Sequence, residues 1–536
     1  MPEQSMKSET ESIPLKIYSE AREAIGGTDR GNGFQQYGTN KRSPSAIGEF
    51  EPVTLAWKDL TVKSVGNITG KLSSQWKTPA GKTILRKVTG IAEPGTLTAI
   101  MGSSGAGKTT LLHTLNSRLH GLQVTGGSIL LNGQPIGVSV AKISGYVQQE
   151  DMCMPCLTVK EHLIFQARLR MDPDIPEKTR LRRVDEVIRA LSLIKCANSL
   201  IGNPERGLKS ISGGERRRLS FASELLTNPP LLFCDEPTSG LDSFMAQNVV
   251  EKLRGLASEG RTILTTIHQP SSEVFQQFDR ILLLSNGKTV FLGKVKDALT
   301  FLSTLGYDSP KNYNPADFMV ETLAIVPGME AECFQKVGKI TDAFERTEIA
   351  RAIARKIRLP QSEVVAEEKA SGSPYKASWW DQMRACAWRS CLSSKRDPFL
   401  TTVSLMKIMA IAGIIGAVFF QTPRGQDGIQ SVNGCLFLLV VNSAFNYSLT
   451  QCKVFPLELA MMKREHFNGM YRVDVYFIAK SLSDLPFILT IQPIVSVTIV
   501  YWMVGLYPSI YNFCISIVLM ILLAHAAVAF APSHIE

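Results

Sequence analysis

The sequence predicts two parts of different fold class, an α/β domain built on a parallel sheet followed by an all-α region. A glycine-rich turn, Gly102–Thr109, stands where a buried strand would give way to a helix. A short apolar run, Leu231–Cys234, ends directly in two acidic residues. The composition changes from Phe399 onward, where the last 138 residues carry 13 charged side chains. A chain of 536 residues with such a change indicates more than one domain.

The glycine-rich turn is typical of a phosphate site. Its backbone N–H groups can surround phosphate oxygens at a helix N-terminus, Lys108 can balance charge on the outer phosphates, and Thr109 can ligate Mg²⁺. Taken alone, the turn would also fit a kinase, a GTPase or another phosphate site. The residues assigned to ATP here are Gly102, Ser103, Ser104, Gly105, Ala106, Gly107, Lys108, Thr109 and Thr110.

A second helix N-terminus is predicted at Ser212–Glu215, where a serine and two glycines can cap a phosphate from the opposite side. ATP would then lie between two halves of a site, and one chain would need a partner to close it. The residues assigned to this second half are Ser212, Gly213, Gly214, Glu215 and Asp242.

Candidate catalytic residues follow three predicted strands. Asp235 and Glu236 end the strand Leu231–Cys234; Asp235 is suited to hold Mg²⁺, and Glu236 to orient or deprotonate the attacking water. His268, after the strand at 262–267, could reach the outer phosphate. Gln149, after the strand at 144–148, offers an amide to both the metal and the water. A lone histidine in such a place is more often a packed residue.

These residues, in this order, resemble an ATP-binding cassette (ABC) ATPase over Val53 to about Gly306. The resemblance implies an α/β P-loop fold and ATP with Mg²⁺ as cofactors. Such ATPases usually stack the adenine on an aromatic near the first strand, but Thr61, Val62 and Lys63 occupy that neighbourhood. Trp57 alternates with apolar residues along that strand and is predicted to be core.

The C-terminal region is predicted to be an all-α transmembrane domain. Because a helix needs about 20 apolar residues to cross a bilayer, four spans are expected, with Lys407 snorkelling or facing protein in the first. The loop between the second and third spans carries five of the Lys and Arg residues, which places the ATPase domain in the cytosol. The spans are 399–420, 429–451, 485–504 and 510–530.

The remaining segments complete the domain assignment. Residues 1–50 are polar and are expected to be disordered, 51–306 form the nucleotide-binding domain, and 307–378 are expected to be a linker. Residues 379–397, beginning Trp379-Trp380, read as an amphipathic helix at the membrane interface, followed by the membrane region 398–536. The net charge of +10 is spread without a basic stripe, so no nucleic-acid partner is expected.

The order of the two parts narrows the resemblance. The cassette precedes the membrane region, Asn314–Phe318 follows the cassette, and Tyr471-Arg472 and Leu485-Pro486 accompany the third span. In these features the chain resembles the G subfamily of ABC half transporters. Within it, Gln148–Asp151 and Ala324–Gly328 look closest to the White and Scarlet group of eye-pigment precursor transporters.

This resemblance implies a homodimer or a heterodimer with another half transporter, in the plasma membrane or in an intracellular vesicle or pigment-granule membrane. It implies a small hydrophobic or aromatic metabolite as substrate, with a sterol or lipid as the alternative. In drug-exporting relatives an Asn and a Phe of the second span line the substrate cavity, and Asn442 and Phe445 match them. Equally, Asn442 could simply bond a neighbouring helix.

The resemblance stops near Ala529. Members of the subfamily carry six spans, so the last two are expected to be absent from this sequence. Either the sequence is incomplete, or a short chain exists that cannot form the usual path alone. A second hypothesis is therefore a non-transporting partner subunit that regulates a full-length half transporter.

Overall fold

The computed structural model describes residues 50–65, 81–119, 121–135, 140–149, 153–202, 210–358, 375–396, 398–423 and 425–530. Residues 1–49 lie outside this range, so the expected disorder of the N-terminal segment stays a prediction. The same holds for the part of the expected linker at 359–374.

The N-terminal part contains two sheets. A four-stranded sheet has the order β2-β1-β4-β5 with antiparallel neighbours, and a six-stranded sheet has the order β10-β9-β3-β8-β7-β6. The strands are β1 (Leu55–Ser64), β2 (Thr83–Ala92), β3 (Leu97–Met101), β4 (Leu122–Leu131), β5 (Gln134–Pro135), β6 (Ser144–Val147), β7 (Leu231–Cys234), β8 (Thr262–Thr266), β9 (Arg280–Ser285) and β10 (Lys288–Lys294).

The six-stranded sheet is parallel except for β10, which pairs antiparallel with β9. Its central strands β3, β7 and β8 are buried along their whole length. Continuous apolar strands are expected where helices cover both faces of a parallel sheet. The carboxyl ends of β3, β8, β7 and β6 therefore meet at one edge, where an open α/β sheet binds its ligand.

Helices α1 to α11 belong to the N-terminal part and α12 to α17 follow it. The first group is α1 (Lys108–Leu115), α2 (Val140–Ile143), α3 (Val159–Arg170), α4 (Glu177–Ala190), α5 (Gly213–Leu225), α6 (Ser243–Ser258), α7 (Ser272–Phe275), α8 (Val295–Thr304), α9 (Pro315–Thr322), α10 (Glu330–Glu345) and α11 (Glu348–Arg358). The second group is α12 (Trp379–Arg396), α13 (Pro398–Val418), α14 (Ile429–Phe467), α15 (Val473–Asp484), α16 (Gln492–Val504) and α17 (Ile510–Phe530).

The expected linker at 307–378 is wrong for its first 52 residues, because 307–358 contain α9, α10 and α11. Val337, Ile340 and Phe344 are buried in the same core as the sheets. The ring of Phe344 lies 5.3 Å from that of Phe291 on β10. The apolar spacing of three and four residues along α10 is a helical pattern, so the folded nucleotide-binding domain extends to about residue 358.

Helix α12 occupies the segment predicted as the interfacial helix and packs on both parts of the chain. Arg389 on α12 and Glu465 near the end of α14 form a buried ion pair at 2.7 Å, with side chains 2% and 3% exposed. The Arg389 guanidinium lies 4.2 Å from the ring centre of Phe165 on α3, and it donates to the Tyr471 hydroxyl at 3.2 Å. These contacts join the ATPase part to the helical part through one side chain.

Two of the described helices contain stretches long and apolar enough to cross a membrane, Ile429–Leu449 and Ile510–Ala529. A third crossing is formed if Val473–Asp484 and Leu489–Val504, bent by 55°, act as one span. The apolar stretch Thr402–Val418 of α13 is shorter than a full crossing. The four predicted spans thus correspond to two full-length apolar helices, one bent pair and one short helix.

Two boundaries differ from the prediction. Helix α14 does not end near residue 451 but continues without interruption to Phe467, through residues expected to form a cytosolic loop. The third predicted span is not a uniform helix, because a π-helical segment at Phe487–Ile491 precedes α16. Pro486 stands immediately before this segment, and proline and π-turns are both known causes of helix bends.

Candidate functional site

The glycine-rich turn connects β3 to α1. At two of its glycines the neighbouring atoms leave no room for a side chain. Gly102 has φ +155°, and a Cβ there would lie 2.1 Å from the carbonyl oxygen of Leu284. Gly107 has φ +99°, and a Cβ there would meet the Leu85 side chain at 2.7 Å. Ser104 and Gly105 of the turn are exposed, and a glycine-rich turn that leads into a helix is the arrangement that binds phosphate. Gly102, Ser103, Ser104, Gly105, Ala106 and Gly107 lie in the turn, and Lys108, Thr109 and Thr110 begin α1.

Lys108 folds back over this turn. Its ammonium donates to the carbonyl oxygens of Gly102 at 2.8 Å and Ser103 at 3.1 Å. Burial lowers the pKa of Lys108, while the carboxylates of Glu236 and Asp235 act in the opposite direction. The cation is thus held at the mouth of the phosphate turn and beside the predicted acidic pair.

Asp235 lies directly after β7, and its carboxylate accepts hydrogen bonds from hydroxyl groups on three other elements. Thr109 on α1 donates to Oδ1 at 3.2 Å, and Thr266 at the end of β8 donates to the same oxygen at 2.6 Å. Tyr146 on β6 donates to Oδ2 at 3.3 Å. The predicted metal residues Asp235 and Thr109 are therefore brought together, although 126 positions separate them in the sequence.

Glu236 has φ +43°, a left-handed conformation that is uncommon for a residue with a side chain. Its backbone N–H donates to the Thr266 hydroxyl at 2.8 Å, which fixes this conformation. Its carboxylate accepts from Nε2 of Gln149 at 2.8 Å. Such strain is typical of functional positions, and the contact leaves the other amide atom of Gln149, Oε1, available to a cation.

His268 lies two residues beyond β8 and is exposed at the same sheet edge. It follows β8, which pairs in parallel with β7, the strand that precedes Asp235 and Glu236. No hydrogen bond to its ring is described.

The second predicted half of the site lies at the start of α5. Ser212 caps this helix by accepting from the Glu215 N–H at 3.2 Å, while the Glu215 carboxylate accepts from the Ser212 N–H at 2.9 Å. Gly213 packs near Leu241, and Gly214 would place a Cβ 2.9 Å from the Met245 sulfur. Asp242 caps the neighbouring helix α6 by accepting from the Met245 N–H at 2.8 Å. Ser212 and Asp242 are both exposed.

Within the described part of the chain, no hydrogen bond joins Ser212–Glu215 to the glycine-rich turn. The exposure of their helix N-termini differs, because Ser212 at the start of α5 is exposed whereas Gly107 and Lys108 at the start of α1 are buried.

The oxygen donors around Asp235 suit a hard divalent cation. The Thr109 hydroxyl, the Gln149 amide oxygen and the Asp235 carboxylate are the ligand types that Mg²⁺ accepts alongside substrate phosphates and water. The described residues contain no cluster of three His, Cys, Asp or Glu side chains that could hold a metal alone. A metal at this edge would thus depend on the nucleotide for part of its coordination.

Comparison with known proteins gives the family. An ABC transporter family model matches residues 85–239, and ABC-2 type transporter models match residues 268–340 and 381–531. The chain is 42% identical over 508 residues to the protein white of Drosophila melanogaster. The aligned region covers 91% of this chain and 73% of that protein. The protein scarlet of the same species is 36% identical over 98% of this chain and 75% of its own length.

A plant relative, ABC transporter G family member 14 of Arabidopsis thaliana, is 34% identical over 88% of this chain and 73% of its own length. This chain belongs to the G family of ABC transporters. It is accordingly an integral membrane protein. Its nucleotide-binding domain is an ATPase, and ATP hydrolysis by this domain is coupled to transport.

Arg217 also contacts the site, although the sequence alone did not indicate it. Arg217 on α5 is buried, and it donates to the carbonyl oxygens of Gln148 at 2.8 Å and Gln149 at 2.7 Å. Arg217 is therefore not part of a solvated helix face, although arginines flank it on both sides in the sequence. Through this side chain, α5 is tied to the segment that presents Gln149 to Glu236.

Thr266 is the second missed residue. Its signal in the sequence is weak, since it is one of several threonines in an otherwise apolar strand two positions before His268. The strand register determines its role, because the pairing of β7 with β8 brings its hydroxyl between Asp235 and the Glu236 N–H.

We expect Thr266→Val to lower the turnover number for ATP about 10- to 100-fold with little change in ATP affinity. The substitution keeps the shape of the side chain but removes a hydrogen bond to a charged group and leaves the Glu236 N–H without its partner. Steady-state ATP hydrolysis and nucleotide binding by the full chain would measure both quantities. Thr265→Val is the matched control, because Thr265 is equally buried and does not contact either carboxylate. An equal loss in the two variants would contradict this role of Thr266.

Proposed function

We propose that this ABC transporter works as a half transporter that must dimerise, either with a second copy or with another half transporter. Each ATP would lie between the Gly102–Thr110 turn of one subunit and Ser212–Glu215 of the other. The separation of these two surfaces within one subunit, and the exposure of Ser212 and Asp242, support this arrangement. The observation that carries the proposal is that no described hydrogen bond joins the glycine-rich turn to Ser212–Glu215, whose helix N-terminus is exposed.

The binding residues of one subunit have distinct roles in this proposal. The N–H groups of the glycine-rich turn and the Lys108 ammonium bind the phosphates and balance their charge. Thr109, Gln149 and Asp235 would hold Mg²⁺, which when bound supplies charge compensation at the phosphates. The side-chain contacts between Thr109 and Asp235 support this assignment.

The proton-handling residues lie on the next strands. Glu236 accepts the proton of the attacking water, and the amide of Gln149 holds this carboxylate at 2.8 Å in the required orientation. His268, at the neighbouring strand end, contacts the outer phosphate. Catalysis of phosphoryl transfer is mainly positioning and charge compensation, which these fixed contacts supply.

Helix α12 conveys closure of the ATPase domains to the membrane helices. The Arg389 side chain contacts α3 through Phe165 and α14 through Glu465, so a displacement of α3 acts directly on the end of a membrane helix. Burial alone would lower the pKa of Arg389, but Glu465 outweighs burial and raises it, so the pair stays charged. A buried pair of this kind strongly resists separation of its members.

The ATPase domain faces the cytosol in this proposal. Lys463, Arg464, Arg472 and Lys480 lie between the apolar stretch of α14 and α16, and the Arg472 N–H donates to Oε1 of Gln382 on α12 at 2.9 Å, which puts this segment beside α12. Positive residues near membrane helices remain cytosolic. The membrane itself is the plasma membrane or that of an intracellular vesicle or pigment granule.

The proposed substrate is a small hydrophobic or aromatic metabolite similar to a pigment precursor, and a sterol or other lipid is the alternative. Asn442 and Phe445 are three positions apart on α14 and so share one side of the helix. Phe445 is 62% exposed and Asn442 is half-buried. An exposed aromatic ring beside an amide offers stacking and one hydrogen bond, which supports an aromatic rather than a purely aliphatic ligand.

Glu236→Gln is expected to keep ATP binding and to lower ATP hydrolysis and vesicle transport at least 100-fold. The amide retains the size of the side chain but cannot accept the water proton, and general base catalysis contributes about 100- to 10,000-fold. Binding of ATP, release of phosphate and uptake of a tryptophan-derived tracer into proteoliposomes would be measured on one preparation.

Glu251→Gln is the control for this change, because Glu251 is an exposed glutamate on α6 away from the sheet edge. Unchanged hydrolysis in Glu236→Gln would remove Glu236 from the catalytic role. Hydrolysis without uptake of the tracer in the unaltered chain would instead redirect the search to sterols and lipids.

Phe445→Ala is expected to raise the KM for an aromatic transport substrate about tenfold while basal ATP hydrolysis is retained. Loss of the ring removes stacking and apolar contact, together worth somewhat over 1 kcal/mol. Leu436→Ala is the matched control, because Leu436 is also exposed but lies on the opposite side of α14 by helical geometry. Equal effects of the two substitutions on KM would contradict a substrate contact at Phe445.

A further inference from the structure

The phenol of Tyr146 reaches the acidic residue at the metal-binding edge from a direction that no other described residue uses. Tyr146 is 3% exposed on β6, and its hydroxyl donates to Oδ2 of Asp235 at 3.3 Å. The two threonine hydroxyls, from Thr109 and Thr266, both go to Oδ1. The carboxylate is therefore held at both of its oxygens.

The position of this phenol is fixed by contacts along the whole residue. The Tyr146 N–H donates to Oε2 of Glu224 at 3.1 Å, and Glu224 is clamped by two bonds from Arg170 at 2.7 and 2.6 Å. The Arg118 guanidinium lies 4.4 Å from the centre of the ring, and the ring of His113 meets it edge-on at 5.5 Å. With the backbone and ring both held, the hydroxyl has little freedom to leave Asp235.

The phenol can act only as a donor here. A tyrosine hydroxyl carries its proton at physiological pH, and here it donates to Oδ2 of Asp235, which accepts. A neutral donor aimed at a carboxylate oxygen restricts rotation of that carboxylate.

We infer that Tyr146 is a positioning residue for the metal site, which orients the Asp235 carboxylate toward a divalent cation bound with ATP. The inference rests on the proposed role of Asp235 in holding Mg²⁺. When the Thr109 hydroxyl turns to the cation, Oδ1 keeps its bond from Thr266 and Oδ2 keeps its bond from Tyr146. The carboxylate then retains its orientation without the third bond, and the free energy of metal binding is not spent on ordering it.

The test is the effect of Mg²⁺ on nucleotide affinity, measured without turnover. The full chain in nanodiscs binds a non-hydrolysable ATP analogue with Mg²⁺ or with EDTA, and the ratio of the two affinities is the metal enhancement. Tyr146→Phe is expected to reduce this enhancement about fivefold while affinity in EDTA is unchanged, as for loss of one hydrogen bond. The ring that packs against Arg118 and His113 is retained, so folding is preserved.

Tyr476→Phe is the matched control, because it also removes a buried phenol that donates to a carboxylate, at 2.7 Å from Glu458, and Tyr476 lies on α15 and not on the sheet. It should leave the enhancement unchanged. An unchanged enhancement in Tyr146→Phe, or an equal fall of affinity in Mg²⁺ and in EDTA, would overturn the inference.

Asp235→Asn separates failure of this inference from failure of the proposed metal site. If Asp235→Asn keeps the enhancement, the assignment of Asp235 is wrong and the inference falls with it. If Asp235→Asn abolishes the enhancement, Tyr146→Phe added to it should change nothing further. If the double variant binds the nucleotide more weakly than Asp235→Asn alone, Tyr146 acts on the fold rather than through Asp235.

Discussion

The arrangement of the ATPase site depends on the hydrogen bonds that converge on the Asp235 carboxylate. Four elements supply groups to this one position, because β7 carries the carboxylate and α1, β8 and β6 each donate a hydroxyl to it. The parallel order of β8, β7 and β6 makes this convergence unavoidable, since their carboxyl ends lie side by side. A displacement of Asp235 would therefore act on α1 through Thr109, on the Glu236 backbone through Thr266 and on β6 through Tyr146.

A second contact carries that change away from the sheet. Arg217 binds the carbonyls of Gln148 and Gln149 from α5, so the helix that carries Ser212–Glu215 is coupled to the catalytic edge of its own subunit. The ion pair of Arg389 with Glu465 then links α12 and α14 to α3. Removing one member of such a pair typically costs about 3–5 kcal/mol, because the other charge remains buried. Both contacts are short and buried, which suits transmission of small displacements.

How far the sequence predicts the structure depends on the range of the interaction. The glycine-rich turn, the helix N-terminus at Ser212 and the acidic pair are local backbone patterns, and each lies where its pattern predicts. Thr266, Tyr146 and Arg217 were missed because their roles arise from strand register and helix packing between distant segments. The helices within 307–358 were missed because polar surface residues mask a narrow apolar face. The bend before α16 depends on a π-helical segment that no composition rule indicates.

The central claim is that each ATP is bound between two subunits, and complementation of two inactive variants tests it most directly. One copy of the chain carries Lys108→Ala and the other, with a different tag, carries Ser212→Arg. A site built within one subunit would be inactive in every combination. A site shared between subunits would be intact once in the mixed pair, where the turn of the second copy faces the helix of the first. We predict ATP hydrolysis in the doubly purified mixed pair and none in either variant alone. A mixed pair as inactive as its parents, when the unaltered chain is active, would contradict the account.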